Sequence, residues 1–378
     1  MTETLSRDEL LRRAALAGAA LAVPGFLTAE AFGARDPKLG KTLTFSNWPL
    51  YIDIDEKTKK RPTLEQFRTK YGVSVKYIED INDNATFFGK IQGALSRGQS
   101  IGRDIIVLTD NSPYPALLIQ KGWVEKLDKK ALPNIKNLQD ALKHPGWDTN
   151  RDYSLPWQSG MTGIAYNAKL TKPITTLDQL LTDKKLKGKV TMLTEMADSI
   201  GIAMLSNGDD PRKVSDAAFD RAYKKIEKAL KSGQIRQFTG NDYAGLLAKG
   251  DISACLAWSG DTVQLQADNK NIRWGLPKEG GMIWTDNMLI PKGGDAYTAS
   301  VFMNFVYDPK IAAQIEAYVN YVCPVKGADA VLKRTDPATA KNPLIFPPSA
   351  TLAKVRQFDA EALFDADLKQ RWQKLLGA

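Results

Sequence analysis

The 378-residue chain has two cysteines and one histidine. Cys255 and Cys323 fit no disulfide framework and no zinc spacing, and leave open either one bridge or two buried thiols. The single His144 lies in the polar stretch Lys143-His144-Pro145-Gly146, with no ligand pattern around it. A Ser-His-Asp triad or a histidine-rich metal site therefore has nothing to build on. Internal repeats and low-complexity tracts are also missing. Beyond the N-terminus, no segment reaches transmembrane length. The formal net charge is +9, yet the basic residues form no stripe. Lys224-Lys225 and Lys228 scatter along a helical pattern, and Lys57 to Arg61 reads as solvated surface. Without a basic stripe or a recognised motif, a nucleic-acid partner is excluded.

What is present begins with a targeting segment. Arg12-Arg13 precede the apolar run Ala14 to Val23, which is too short to span a bilayer, and Ala29-Glu30-Ala31 offers a small-x-small cleavage site. Residues 1–31 are therefore expected to be an export signal. The arginine pair points to the twin-arginine route, although Leu11 stands where Ser is usual, so the general and twin-arginine routes both stay open. No cysteine near the cleavage region supports a lipid anchor. The mature chain is expected to be exported, extracytoplasmic or periplasmic, and soluble. Its size suggests two domains.

The chain then alternates strand and helix. Leu43 to Trp48, Val73 to Ile78 and Asp104 to Leu108 read as strands, separated by helical patterns over Thr63 to Tyr71 and Thr86 to Leu95. This order predicts an α/β fold with a parallel sheet. A second set begins near Tyr153 to Trp157. It continues with strands at Gly163 to Asn167, Lys189 to Leu193 and Ile252 to Trp258, and helices at Asp198 to Leu205 and Ala217 to Leu230. Tyr297 to Tyr307, Lys310 to Tyr318 and Ala360 to Leu376 read as further helices. Ligands of such sheets bind beyond the carboxyl ends of strands, where Trp48, Tyr51 and Thr109-Asp110-Asn111 fall.

The most informative stretch is Gly275-Leu276-Pro277-Lys278-Glu279-Gly280-Gly281-Met282-Ile283-Trp284-Thr285-Asp286. In a strand, residues i and i+2 share a face, so Trp284 and Asp286 can meet one ligand together. An indole face with a carboxylate suits an organic ammonium, through cation–π attraction and a charge-assisted hydrogen bond. Taken singly, each residue has a plainer reading. Trp48, Tyr51 and Tyr321 suit a core, and Asp261 after Gly260 suits a turn. The ordered set at strand ends is what turns the balance toward a ligand.

Asn47-Trp48-x-x-Tyr51, Trp258-Ser259-Gly260-Asp261 and Pro277-Lys278-Glu279-Gly280-Gly281-x-x-Trp284-x-Asp286 occur in this order and spacing. The chain thereby resembles the periplasmic spermidine/putrescine-binding proteins, the substrate receptors of polyamine ABC importers, from about Thr42 to the C-terminus. The resemblance implies a two-lobed periplasmic-binding-protein fold of type II, with the ligand cleft between the lobes. Residues 42–155 with 285–325 are expected to form one lobe, and 156–284 with 326–378 the other. Trp48, Tyr51, Trp258, Trp284 and Tyr321 would form an aromatic box. Asp261 and Asp286 would bind ammonium groups, Thr109 would contact ligand through its hydroxyl, and Gln357 would match a late polar contact. Glu195 and Asp198 are acids near the place where the family carries ligand carboxylates, although the best register sets Met196 and Ser199 there. Both acids also suit the start of a helix. Asn111 stands where an aromatic residue is frequent. The resemblance implies no catalytic residue, no metal and no cofactor. It implies a monomer with a polyamine ligand and the membrane permease subunits as partners.

Two other readings compete. Aromatic platforms with carboxylates also serve receptors for sugars or for other organic cations. An exported glycosidase could use a carboxylate pair such as Asp261 and Asp286. Tyr318 and Tyr321 invite a ferric-ion reading, but the adjacent tyrosine pair it needs is absent.

Overall fold

The computed structural model describes residue 36 and residues 38–377. The expected export signal, residues 1–31, lies outside the described residues. The first strands and helices are β1 (Thr42–Asn47), α1 (Pro62–Tyr71), β2 (Ser74–Glu79), α2 (Asn84–Ser96), β3 (Ile105–Thr109) and α3 (Tyr114–Gln120). Local chemistry explains their ends. Pro62 opens α1 where a missing N–H costs nothing, and Gly72 closes it in the left-handed conformation at φ 68°. Asp83 caps α2 by accepting from the Thr86 amide. β1 lies between β2 and β3, parallel to both, as the alternation predicts.

The second set comprises β4 (Ser154–Asn167), α4 (Leu177–Thr182), β5 (Val190–Leu193), α5 (Met196–Ser206), α6 (Asp216–Lys231), β6 (Ile235–Thr239), α7 (Tyr243–Lys249), β7 (Ala254–Trp258), α8 (Ser259–Asp268), β8 (Ile272–Gly275) and β9 (Gly281–Leu289). α6 buries Ala218, Phe219, Ala222, Ile226 and Ala229, one stripe at helical spacing. After it come α9 (Ala296–Val306), α10 (Pro309–Val319), α11 (Ala328–Thr335), α12 (Pro337–Ala340), α13 (Ser349–Leu352), β10 (Val355–Arg356) and α14 (Ala366–Leu376). No helix among the described residues is long and apolar enough to cross a membrane.

The sheet runs β2-β1-β3-β9-β4-β7-β5-β6, with β10 on β9 and β8 on β4. Two long strands tie the two sets together. The start of β4, Ser154 to Gln158, pairs with Asp286 to Leu289 of β9, and this part of β9 also pairs with β3. The end of β4, Thr162 to Asn167, pairs instead with β7 and β8. Each strand therefore begins in one group and finishes in the other, the arrangement of a two-lobed α/β fold.

Two expectations change. Tyr153–Trp157 and Gly163–Asn167 read as separate pieces, but β4 is one strand of 14 residues. Pro156 breaks the strand signal, and the structure absorbs it at a register shift between Pro156 and Gln158. The C-terminal helix starts at Ala366, capped by Asp365, instead of at residue 360. α11 packs along α10, Ala328 and Leu332 are buried, and Gly327 lies against Pro309. The chain returns to the second set only at β10, which pairs with Gly281 and Met282 of β9. Cys255 and Cys323 are both free and buried.

Candidate ligand-binding cleft

Between the two groups of strands lies a cavity lined by Trp48, Pro49, Tyr51, Thr109, Asn111, Glu195, Asn241, Trp258, Asp261, Trp284, Asp286 and Tyr321. The lining residues approach one another so closely that the cavity volume is only about 20 Å³. The cavity is a thin slot. Strand ends supply most of its wall. Trp48 follows β1, Thr109 ends β3, Glu195 follows β5, and Trp258 ends β7. Trp284 and Asp286 project from β9 to the same side, as their i, i+2 spacing predicts.

The aromatic rings interlock mostly edge to face. Trp48 meets Trp258 at a centroid distance of 5.8 Å, and Tyr51 meets Tyr321 at 5.1 Å. Trp284 bridges Trp258 at 6.0 Å and Tyr321 at 5.8 Å. Two glycines make room for this box. A Cβ on Gly160 would lie 2.5 Å from the Trp284 ring, and one on Gly260 would lie 2.1 Å from the Tyr321 ring. The Trp284 indole donates to Thr162 Oγ1 at 3.0 Å, which fixes the ring plane.

Three carboxylates line the slot, and each is held by neutral donors. Asp286 accepts from Tyr51 Oη at 2.5 Å and Thr109 Oγ1 at 2.6 Å. Asp261 accepts from Tyr321 Oη, Tyr243 Oη and Asn241 Nδ2, each at 2.7 Å. Glu195 accepts from the Asn84 amide at 3.0 Å and Asn84 Nδ2 at 2.9 Å. No lysine or arginine lines the cavity. Burial wins over these hydrogen bonds. It pushes Asp261 up to about 6, Asp286 to about 7 and Glu195 to about 8. Asp261 even sits in the first turn of α8, where the helix dipole favours its charge, and its pKa still rises. A cation placed among the three would repay much of that desolvation. The basic surface of the chain thus coexists with an acidic slot.

Nine of the residues singled out from the sequence meet here: Trp48, Tyr51, Thr109, Glu195, Trp258, Asp261, Trp284, Asp286 and Tyr321. Asp198 and Gln357 are not brought to the cavity wall. Asp198 is fully buried behind it, accepting from Trp258 Nε1 at 3.0 Å and Thr162 Oγ1 at 2.8 Å. It thereby orients the Trp258 indole and, through Thr162, that of Trp284. Gln357 is exposed just past β10. Sequence reading missed Pro49 and Asn241 in the wall, and Asn84, Tyr243 and Thr162 behind it. Asn241 and Tyr243 follow β6, a strand whose sequence Ile-Arg-Gln-Phe-Thr carries little strand signal because its middle is exposed. Only placing that strand would have put the next loop at the site.

A protein-family model described as bacterial extracellular solute-binding protein matches residues 63–347. The putrescine-binding periplasmic protein PotF of Escherichia coli is 29% identical over 90% of this chain and 90% of its own length. The spermidine/putrescine-binding periplasmic protein of the same organism is 25% identical over 82% and 84%. Among solved structures, the spermidine/putrescine ABC transporter substrate-binding protein PotD of Streptococcus pneumoniae superposes with a TM-score of 0.70 at 22% identity, covering 89% of this chain and 97% of that one.

Proposed function

The chain belongs to the bacterial extracellular solute-binding proteins, and on that footing we infer that it is the polyamine receptor of an ABC importer, working outside the cytoplasm. One observation carries the choice of ligand. Three buried carboxylates face a slot walled by aromatic rings, with no basic side chain in the lining. A protonated di- or polyamine supplies what this wall lacks, positive charge at intervals along an apolar stem. The rings cover the methylenes and present their negative faces to the ammonium groups. The relatives named above carry putrescine or spermidine in their names, which supports the same reading. Binding needs no nucleophile, general base or metal, and the family is one of transport receptors.

Lobe closure belongs to this reading. We assign residues 42–155 and 285 to about 340 to one lobe, and 156–284 with the residues from β10 onward to the other. Direct contacts then span the cleft, as between Glu195 and Asn84 and between Tyr321 and Asp261. In the importer, the closed monomer would present both lobes to the membrane permease subunits.

Calorimetry of the purified mature protein against putrescine, cadaverine, spermidine, spermine, amino acids and sugars tests the ligand class. A saturable 1:1 complex with a di- or polyamine, recovered unchanged by mass spectrometry, is the expected result. Binding of a sugar with no amine binding would overturn the reading.

A further inference from the structure

Asn111 follows β3 by two residues and lines the slot, yet its carbonyl oxygen Oδ1 is buried with no hydrogen-bond partner. The side chain is more than nine-tenths buried. Its amide nitrogen has an evident use. The Asn111 side chain lies beside Asp198 and favours the charged form of that carboxylate. A carboxylate only accepts, so the NH₂ group must face Asp198 and the oxygen is turned away from it. Buried acceptors in folded proteins are nearly always paired. An acceptor left open in the wall of a binding slot marks a place where the ligand donates.

The neighbours locate that place. Asn84 Nδ2 reaches both Glu195 and Thr109 Oγ1, the latter at 3.1 Å. Glu195 and Thr109 are thus one side chain apart. Asn111 lies two residues past Thr109 and beside Asp198, which lies three past Glu195. Asn111 and Glu195 therefore share one end of the slot, while Asp261, with Tyr321, Tyr243 and Asn241, holds another. Glu195 has one oxygen, Oε1, committed to Asn84. A terminal ammonium carries three N–H donors and needs several converging acceptors.

We propose that Asn111 Oδ1 is a ligand contact that accepts one N–H of the ammonium group lodged at the Glu195–Thr109 end of the slot, and that it favours a primary ammonium there. The proposal rests on the polyamine reading above. Asn111 also joins the lobes, because its nitrogen side meets Asp198 of the second group while its oxygen meets the ligand. A bound ammonium and a closed cleft then support each other through one amide.

The test uses the full mature protein and its Asn111→Leu variant, with putrescine and N,N′-dimethylputrescine as probes. A hydrogen bond to a charged group corresponds to roughly a ten- to hundredfold change in affinity. The variant should lose about that much affinity for putrescine and much less for the dimethylated probe, whose ammonium groups each have one donor fewer. A merely structural role would weaken both probes equally. A crystal structure of the wild-type complex should place an ammonium nitrogen within hydrogen-bond distance of Oδ1. If the wild type binds putrescine while the variant stays within twofold for it, or loses both probes alike, Asn111 is not this contact and the polyamine reading stands. If the wild type binds no amine, both fall.

Discussion

At the residue scale, Asp286 is the group on which binding should depend most. Its carboxyl is buried, held by Tyr51 and Thr109 hydroxyls, and raised to about 7 because burial outweighs both bonds. Asp286→Asn keeps the shape and removes the charge. Losing the charged partner of a buried ammonium costs about 3–5 kcal/mol, so affinity should fall by roughly two to three orders of magnitude. The ligand-free variant should melt no lower than wild type, since a buried charge without a cation stabilises nothing. Trp284→Phe keeps an aromatic face and should lose less affinity, about 0.5–2 kcal/mol. It should also lower the melting temperature, because the indole fills the space over Gly160 and bonds Thr162. Titration calorimetry and thermal melts of both variants check this order. Wild-type affinity in Asp286→Asn would remove the main support for the cleft assignment.

At the element scale, β4 and β9 are the strands at which the molecule is expected to bend. β9 pairs with β10 at its start and with β3 at its end, β4 pairs with β7 and β8 over its second half, and the two pair with each other from Ser154 to Thr162. A bend near Ser159 to Met161 and Ile283 to Thr285 would swing one group of strands against the other while leaving the pairing at both ends intact. Trp284 and Asp286 of the cavity wall would sit at that bend. Small-angle scattering should therefore report a smaller radius of gyration when putrescine is added, as hinge closure requires. An unchanged radius, with binding confirmed in the same sample, would mean that the cleft does not close on its ligand. The strands and helices of the first set were legible because hydrophobic period and cap residues agree there, as at Pro62 and Asp83. β6 and the continuity of β4 were not. An exposed middle hides the first, and Pro156 with two glycines, Gly160 and Gly163, hides the second.

At the scale of the whole molecule, the buried acids couple stability to pH. Asp261, Asp286 and Glu195 have folded pKa values of about 6, 7 and 8, above their ordinary values. Between the ordinary carboxylate range and about pH 8 the folded state therefore holds more protons than the unfolded chain. Stability must then fall as pH rises through that window. Without ligand, the melting temperature should drop from about pH 5 to pH 8, and the drop should be shallower in Asp286→Asn. Polyamine should tighten its binding over the same range, because protons compete with it and its own amines stay charged like lysine. Melts at several pH values with and without putrescine measure both slopes. A flat ligand-free profile would contradict the burial of these carboxylates.

The amino-acid sequence alone determined the export signal as an expectation, the α/β alternation, and nine of the residues that meet in the slot. Strand period and strand ends pointed to Trp48, Tyr51, Thr109, Trp284 and Asp286, and the family resemblance carried by motif order implied the roles of Glu195, Trp258, Asp261 and Tyr321. Tertiary structure alone decided the rest. Asp198 is near Glu195 in sequence, but the first turn of α5 sends it behind Trp258 instead of into the slot. Asn84, Asn241 and Tyr243 became site residues only because distant strands set their loops beside Glu195 and Asp261. The packing of α11 along α10, with Ala328 and Leu332 buried, is likewise set by contacts that no local pattern shows. Hydrogen bonds between residues more than a hundred positions apart, such as Tyr51 to Asp286, are written in no local pattern. They exist because folding brings two strand ends to one cavity and removes the water that would otherwise satisfy them.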